Sequence, residues 1–536
     1  MTSGPDPSAS TVLRAAGVVV RLDDRGTVVG VASAETTGAT WLAESGTLTV
    51  ATGDGPVLLG PPRVVVDVDE VEVERSGGGL RTVVRHAVEH AWTVRVVLAN
   101  ESDVALALTS VRLAWRAAPG TVVTALAAGA QASYAVQPTH GDGPVLVGRL
   151  RSGAQPGVDE HGLLLGPLVL APHHRWAVQW RWEVEPDPRR VAAADLPRTT
   201  WLDRGQTLVL PGSPDVAVVA PGLAVEVEDD RVEVDRAEPG SSVLELRSAR
   251  GTTAYPLTWA PDLDDLVDAA TEALLAGPTS PAGTVRLGDA AAGLVVQDAL
   301  LRRTGGTPDA LADALELVAG DLLERLDDLD VPGSGVADPL TLAFLARETD
   351  RATGTAVLDV AVLDVAVRRL LLTVAPAPGL GLAGVGLALA LVRTGRPATE
   401  VVAHLTALRS VASPAAGPGD DAALELALLL RPRDAVADEP WIAGLRRLGA
   451  SLGAGLPGRV VPVARTEAVA YASTLLSLVD EPTGQRLRQT WGVTASELAR
   501  RTAAEARART ADLWRATDGG DPAGRRALAW LVLGRR

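Results

Sequence analysis

The sequence predicts a β-then-α protein: a large antiparallel β-sandwich over residues 11–260, an all-helical region over 261–536, and a disordered N-terminus over 1–10. Three observations predict it. Apolar and polar residues alternate through the first half, as strands with one buried face require. After TWAPDLDDL the apolar spacing changes to i, i+3, i+4. A chain of 536 residues is also too long for one ordinary core.

The strands come first. TVVGVAS, GTLTVAT, RVVVDVD, VEVE, TVRVVLA, LAVEVED and SVLELRS all have period two and are separated by Gly, Pro, Asp and Asn clusters. Counting by this rule gives on the order of eighteen short strands, which suits two large stacked sheets. Val94, Val96 and Leu98 lead into the turn cluster Asn100-Glu101-Ser102-Asp103, and Val104, Leu106 and Leu108 resume as a hairpin partner. Beyond Ser110 the large residues shift to Val111, Leu113 and Trp115, so a bulge is expected there.

The helical half opens at Leu263. DALADALELVAGDLLERLDDL has a continuous helical stripe, and Gly, Pro and Asp clusters interrupt such stripes often enough to leave roughly a dozen helices. That number, joined by short turns, forms a closed ring of hairpins or a curved solenoid. No clear internal repeat favours the solenoid. Leu370 to Val392 carries no charge, but Pro376, Pro378 and Gly379 split it into the end of one helix and a second Gly- and Ala-rich helix. It is read as core rather than as a membrane span.

A large β-sandwich followed by about a dozen helices resembles the plan of glycoside hydrolases and phosphorylases that join an N-terminal supersandwich to a C-terminal (α/α)6 toroid. The stretch LLLGPLVLAPHHRWAVQWRWEVEPD, read as an outer hairpin with an aromatic return strand, is similar to part of such a sandwich. The resemblance implies a toroid-like helical domain and a carbohydrate-active protein, a hydrolase using paired carboxylates on a glycan without a cofactor. The alternative is a catalytically inactive relative acting as a sugar- or protein-binding scaffold. The helical half departs from the family in holding few aromatic residues to line a funnel.

Composition narrows the chemistry. There is no cysteine and no lysine, and all 50 basic residues are arginine. Disulfides, thiolate metal sites, P-loops, S-x-x-K nucleophiles and pyridoxal Schiff bases are thereby excluded. A net charge of -16 argues against nucleic acid and anionic membrane as partners. MTSGPDPSAS has no basic or apolar export signature, so a cytoplasmic location is expected.

Three motifs match catalytic patterns in letters only. HAVEH, residues 86–90, fits H-x-x-E-H, but its flanks are strand-like. Its histidines would then stand about 13 Å apart, too far to share one ion, and are expected to be half-exposed. No metal site is therefore predicted. GASLG, residues 449–453, fits the nucleophile elbow, yet WIAGLRRL before it is helical, so Ser451 reads as a helix end. Gly379, Gly381 and Gly384 fit G-x-G-x-x-G without a βαβ unit and read as packing glycines. Trp176, Val178, Trp180, Trp182 and Val184 share one strand face, either as core or as a sugar-stacking platform.

A toroid would place its catalytic acids in loops and at helix starts, beside aromatic residues. Glu439 beside Trp441, Asp338 in GVADPL, and Glu467 near Tyr471 are the candidate catalytic residues, with Trp441 and Tyr471 as candidate substrate contacts. Each acid also has a structural reading, Asp338 as an N-cap and the others as first-turn acids.

Overall fold

The computed structural model describes residues 11–535 apart from 37–38, 141–142, 160–161, 192–199, 213–214, 229–230, 277–288, 328–337, 353–359, 412–420, 432–438, 462–463 and 517–520. The expected disordered segment 1–10 lies outside the described residues.

Large antiparallel sheets occupy the first half and helices the second. A 9-stranded sheet runs from Thr11–Ala15 through Thr40–Thr52 to Leu106–Ala117 and the short strands beyond it. A 13-stranded sheet carries, side by side, Thr121–Gly129, Ser133–Pro138, Val145–Ser152, Arg175–Glu185, Trp92–Asn100 and Leu80–Val88. Their inner faces share one core. Trp115 of the smaller sheet meets Trp182 of the larger at 5.5 Å, and Trp182 meets Trp92 at 5.6 Å. Trp180 and Trp182 are buried, so this aromatic face is core rather than platform. Gly148 is required beneath it, because a Cβ there would lie 2.5 Å from the Trp182 ring.

Two hairpin expectations are corrected. Trp92–Asn100 pairs with Leu80–Val88 and Arg175–Glu185, whereas Leu106–Ala117 pairs in the other sheet, so the turn at 100–103 is an arch across the sandwich. Asn100 holds the arch through its side-chain amide, which donates to Val104 O at 2.7 Å and Leu170 O at 3.1 Å. Alternation shows that a strand resumes but not which sheet it joins. Likewise Leu168–Leu170 pairs in the smaller sheet and Arg175–Glu185 in the larger. The irregularity foreseen near Ser110 is present as a register shift between Leu108 and Ser110.

The last strand of this half ends at Ala260. The helices that follow are α1 Leu263–Ala276, α2 Ala290–Arg302, α3 Pro308–Asp327, α4 Pro339–Ala352, α5 Val360–Leu371, α6 Leu380–Arg393, α7 Thr399–Val411, α8 Asp421–Leu429, α9 Glu439–Ser451, α10 Thr466–Ser477, α11 Glu481–Trp491, α12 Ala495–Ala516 and α13 Pro522–Leu533. α2, α8, α10 and α13 contain runs buried on every side, which marks interior helices. α3 instead buries a single stripe, Leu311, Leu315, Val318 and Leu322. α2 packs on α4, α4 on α6 and α6 on α8; α10 packs on α13 and α13 returns to α2. Tyr471 of α10 reaches Glu425 of α8 and completes the circuit of neighbours.

The halves are joined by a short strand that lies between α9 and α10. Arg459–Val461 pairs with Thr121–Gly129, Val461 opposite Val123. Arg459 then lies over the Trp201 ring at 4.2 Å and donates to Thr200 Oγ1, Pro256 O and Thr258 Oγ1 at 3.1, 3.1 and 2.9 Å. Burial lowers its guanidinium pKa to about 10.

Candidate functional site

Two of the three acids singled out in the sequence are brought together. Asp338 directly precedes Pro339, the first residue of α4, and its backbone carbonyl accepts from Thr341 and Leu342. Asp338 thus stands at the N-cap position of α4. Its carboxylate takes a two-pronged contact from Arg526 of α13, with Nη1 to Oδ2 and Nη2 to Oδ1 both at 3.1 Å. Arg526 turns its Nε to Oε1 of Glu467, in the first turn of α10, at 2.7 Å. Side-chain exposures of 36% for Arg526, 37% for Asp338 and 33% for Glu467 leave this triad open to solvent. Burial works against the charge of Arg526, but the hydrogen bonds and charges of Asp338 and Glu467 outweigh it and raise its pKa further. Beside the triad, Arg525 Nε reaches Asp289 Oδ2 at 3.0 Å; Asp289 also caps α2 through Ala292 N.

A buried floor supports the triad. Trp530 Nε1 donates to Glu467 Oε1 at 3.4 Å, and its ring meets Tyr471 at 4.9 Å. Tyr471 donates to Glu425 Oε2, which also accepts from Gly379 N at 2.6 Å, while Glu425 Oε1 accepts from Leu382 N at 2.6 Å. Glu425 thus caps α6 from a neighbouring helix, where the helix dipole favours an anion. Burial nevertheless pushes its carboxyl up to about 7, with Tyr471 and the backbone donors pulling the other way. Gly379 has φ +90°, and a Cβ would fall 2.0 Å from the Trp530 ring, so glycine alone fits. The G-x-G-x-x-G letters are packing positions: Gly381 abuts Glu425 and Gly384 abuts Leu405.

Of the other candidates, Tyr471 lies beneath the triad, and Glu439 and Trp441 belong to α9. Glu439 opens α9, and its side chain lies outside the described residues. Trp441 is buried on α9, which packs on α8 and α11, with the Arg431 guanidinium 4.9 Å from its ring. Tyr471 is 5% exposed and underlies the triad rather than facing solvent. His86 is fully buried and stacks on Trp92 at 6.0 Å, while His90 is exposed past the strand end, which corrects the expectation of two half-exposed histidines. The alternation that separates them is the cause: His86 falls on the inward parity, and the strand stops at Val88. Among the described residues no group of three His, Asp or Glu side chains is arranged to hold a metal ion. Ser451 closes α9 and donates to Leu448 O at 2.7 Å, as a helix-end residue does.

Arg526, Trp530 and Glu425 were not foreseen. One signal existed: Arg525-Arg526 lies in the first turns of α13, the end of a helix where cations are disfavoured. Glu425 sits in an apolar run, DAALELALLL, where a lone acid implies a buried partner.

No protein-family model matches the chain, and neither does any curated protein sequence. A solved polysaccharide lyase does match in structure, with a TM-score of 0.66 and 12% identity over 93% of this chain and 93% of that one. The two share a fold. The similarity to YidC from Thermotoga maritima has a TM-score of 0.19 at 14% identity, covers 34% of this chain and 52% of that one, and carries no argument. Among the described residues no helix is long and apolar enough to cross a membrane.

Proposed function

We propose that this chain is a carbohydrate-active protein whose glycan docks where Asp338, Glu467 and Arg526 meet. The observation that carries the reading is the convergence of these half-exposed side chains, from the starts of α4 and α10 and from α13, over a Trp530–Tyr471 floor. Such a cluster offers spare lone pairs and N–H groups to sugar hydroxyls. The fold shared with a polysaccharide lyase supports the carbohydrate class. The circuit of buried helices supports a closed toroid whose mouth lies at these helix starts; Glu467 follows the inter-half strand by only six residues, 467 minus 461.

Glycan binding without hydrolysis is favoured over the paired-carboxylate reading. An inverting hydrolase keeps its acids roughly 6.5–9.5 Å apart with water between them. Here one guanidinium engages both. The partner is accordingly a carbohydrate, with neither nucleic acid nor membrane expected of so acidic a chain, and the cytoplasm is the proposed location.

A panel of neutral and acidic glycans, followed by thermal shift and by release of reducing or unsaturated ends, tests the proposal. Ligand-induced stabilisation that Asp338→Asn and Glu467→Gln remove, without turnover, is expected. Reducing ends released without unsaturation, and abolished by either variant, would establish the hydrolase reading, whereas unsaturated ends would establish elimination instead. No binding by any glycan would remove the site.

A further inference from the structure

We propose that the outer face of the 13-stranded sheet is a binding trough for an acidic polysaccharide, separate from the triad. A cavity of about 500 Å³ opens on this face, lined by Arg85, Arg95, Arg151, Arg181, Thr93 and Gln179. These residues come from four adjacent strands, so the arginines extend over about 14 Å at the usual strand spacing. A second cavity, of about 210 Å³, continues from Arg151 past Arg149 to Arg250 and Pro457, where the helical half meets the sheet.

The register makes this arrangement costly unless an anion fills it. Arg85 stands directly opposite Arg95, and Arg149 directly opposite Arg181. Like charges opposite one another across an antiparallel pair are destabilising. Part of the charge is answered within the protein: Glu70 holds Arg85, and Glu183 holds Arg181 at 2.5 Å and Arg149 at 3.5 Å. Arg95 and Arg151 are exposed and have no ion-pair or hydrogen-bond partner among the described residues. Glu89 and His90 form one rim. In a chain of net charge -16, such a concentration of unanswered positive charge selects an anion.

The trough's length fits a polymer, and its chemistry fits a glycan. Thr93 and Gln179 add hydroxyl and amide groups between the arginines. Nucleic acid is disfavoured because the strand alternation turns Trp92, Trp180 and Trp182 into the core, which leaves no tryptophan in the trough for a base to stack on. Carboxylate and sulfate groups present the same charge to these guanidinium forks.

The test is titration of polygalacturonate, dextran sulfate, neutral dextran and a single-stranded oligonucleotide into the full chain at low ionic strength. Binding of polygalacturonate or dextran sulfate, weakening with salt, and no binding of neutral dextran are expected; the tighter of the two identifies the anion. Arg95→Gln with Arg151→Gln should weaken binding about a hundredfold, two charge-assisted hydrogen bonds at about tenfold each. Arg116→Gln, on the other sheet, should leave it unchanged. Equal affinity in the double variant, no binding of either polyanion, or tighter binding of the oligonucleotide would overturn the proposal. Asp338→Asn leaves this binding intact, so failure here and failure at the triad are distinguishable.

Discussion

Replacing Glu425 by Gln exchanges a buried acid for its neutral isostere beneath the proposed site. Both oxygens of Glu425 accept hydrogen bonds, and burial pushes its carboxyl from 4.5 up to about 7. A carboxyl whose folded pKa is raised holds its proton in the native state over a range where the unfolded chain has lost it. Its contribution is therefore fully present below about pH 4.5 and is lost as pH rises to about 7. At 1.36 kcal/mol per pKa unit, the loss amounts to roughly 3 kcal/mol by pH 7. Glu425→Gln has no such proton to lose. The amide NH2 of the variant cannot accept as the lost oxygen did, which costs about 1–3 kcal/mol at every pH, but between pH 4.5 and 7 the variant should gain on the parent by roughly 3 kcal/mol. Urea denaturation followed by tryptophan fluorescence at a series of pH values measures the difference, and the other titrations common to both proteins cancel. A stability difference that stays flat between pH 4.5 and 7, or that changes in the opposite direction, would refute the reasoning.

The remaining predictions concern the sandwich and the join. His86 is buried with its pKa lowered from 6.5 to about 4, so it stays neutral in the fold; its contribution is present above pH 6.5 and is lost as pH falls to about 4. His86→Phe should flatten that acid limb in the same denaturation series. Gly148→Ala should destabilise by about 1–3 kcal/mol, seen as a lower Tm, because its methyl has no room beside Trp182. Arg459→Ala should cost about 3 kcal/mol or more, since it removes three hydrogen bonds and the stack on Trp201, and should speed proteolysis between the halves without changing circular dichroism.

Period and punctuation carried the architecture. The change from alternation to helical spacing at TWAPDLDDL falls where the structure passes from strand to α1, because burial on one face imposes those periods whatever the fold around them. Strand partners were not legible. The residues around Asn100 look the same whether the chain turns back within one sheet or arches to the other, and only contacts distant in sequence decide it. The site divides along the same line. Asp338 and Glu467 could be selected because acids at helix starts are conspicuous, but their meeting depends on Arg526, some sixty residues beyond Glu467, being carried alongside by α13. Glu439 was conspicuous for the same reason and begins α9, away from that meeting point.

The central claim is that a carbohydrate occupies the triad. Calorimetric titration of the best-binding neutral glycan of the panel into the parent protein and into Glu467→Gln tests it most directly. The account predicts saturable binding by the parent and at least about tenfold weaker binding by the variant, the loss of one charge-assisted hydrogen bond. Equal affinity in the two proteins, with both folded, would contradict it.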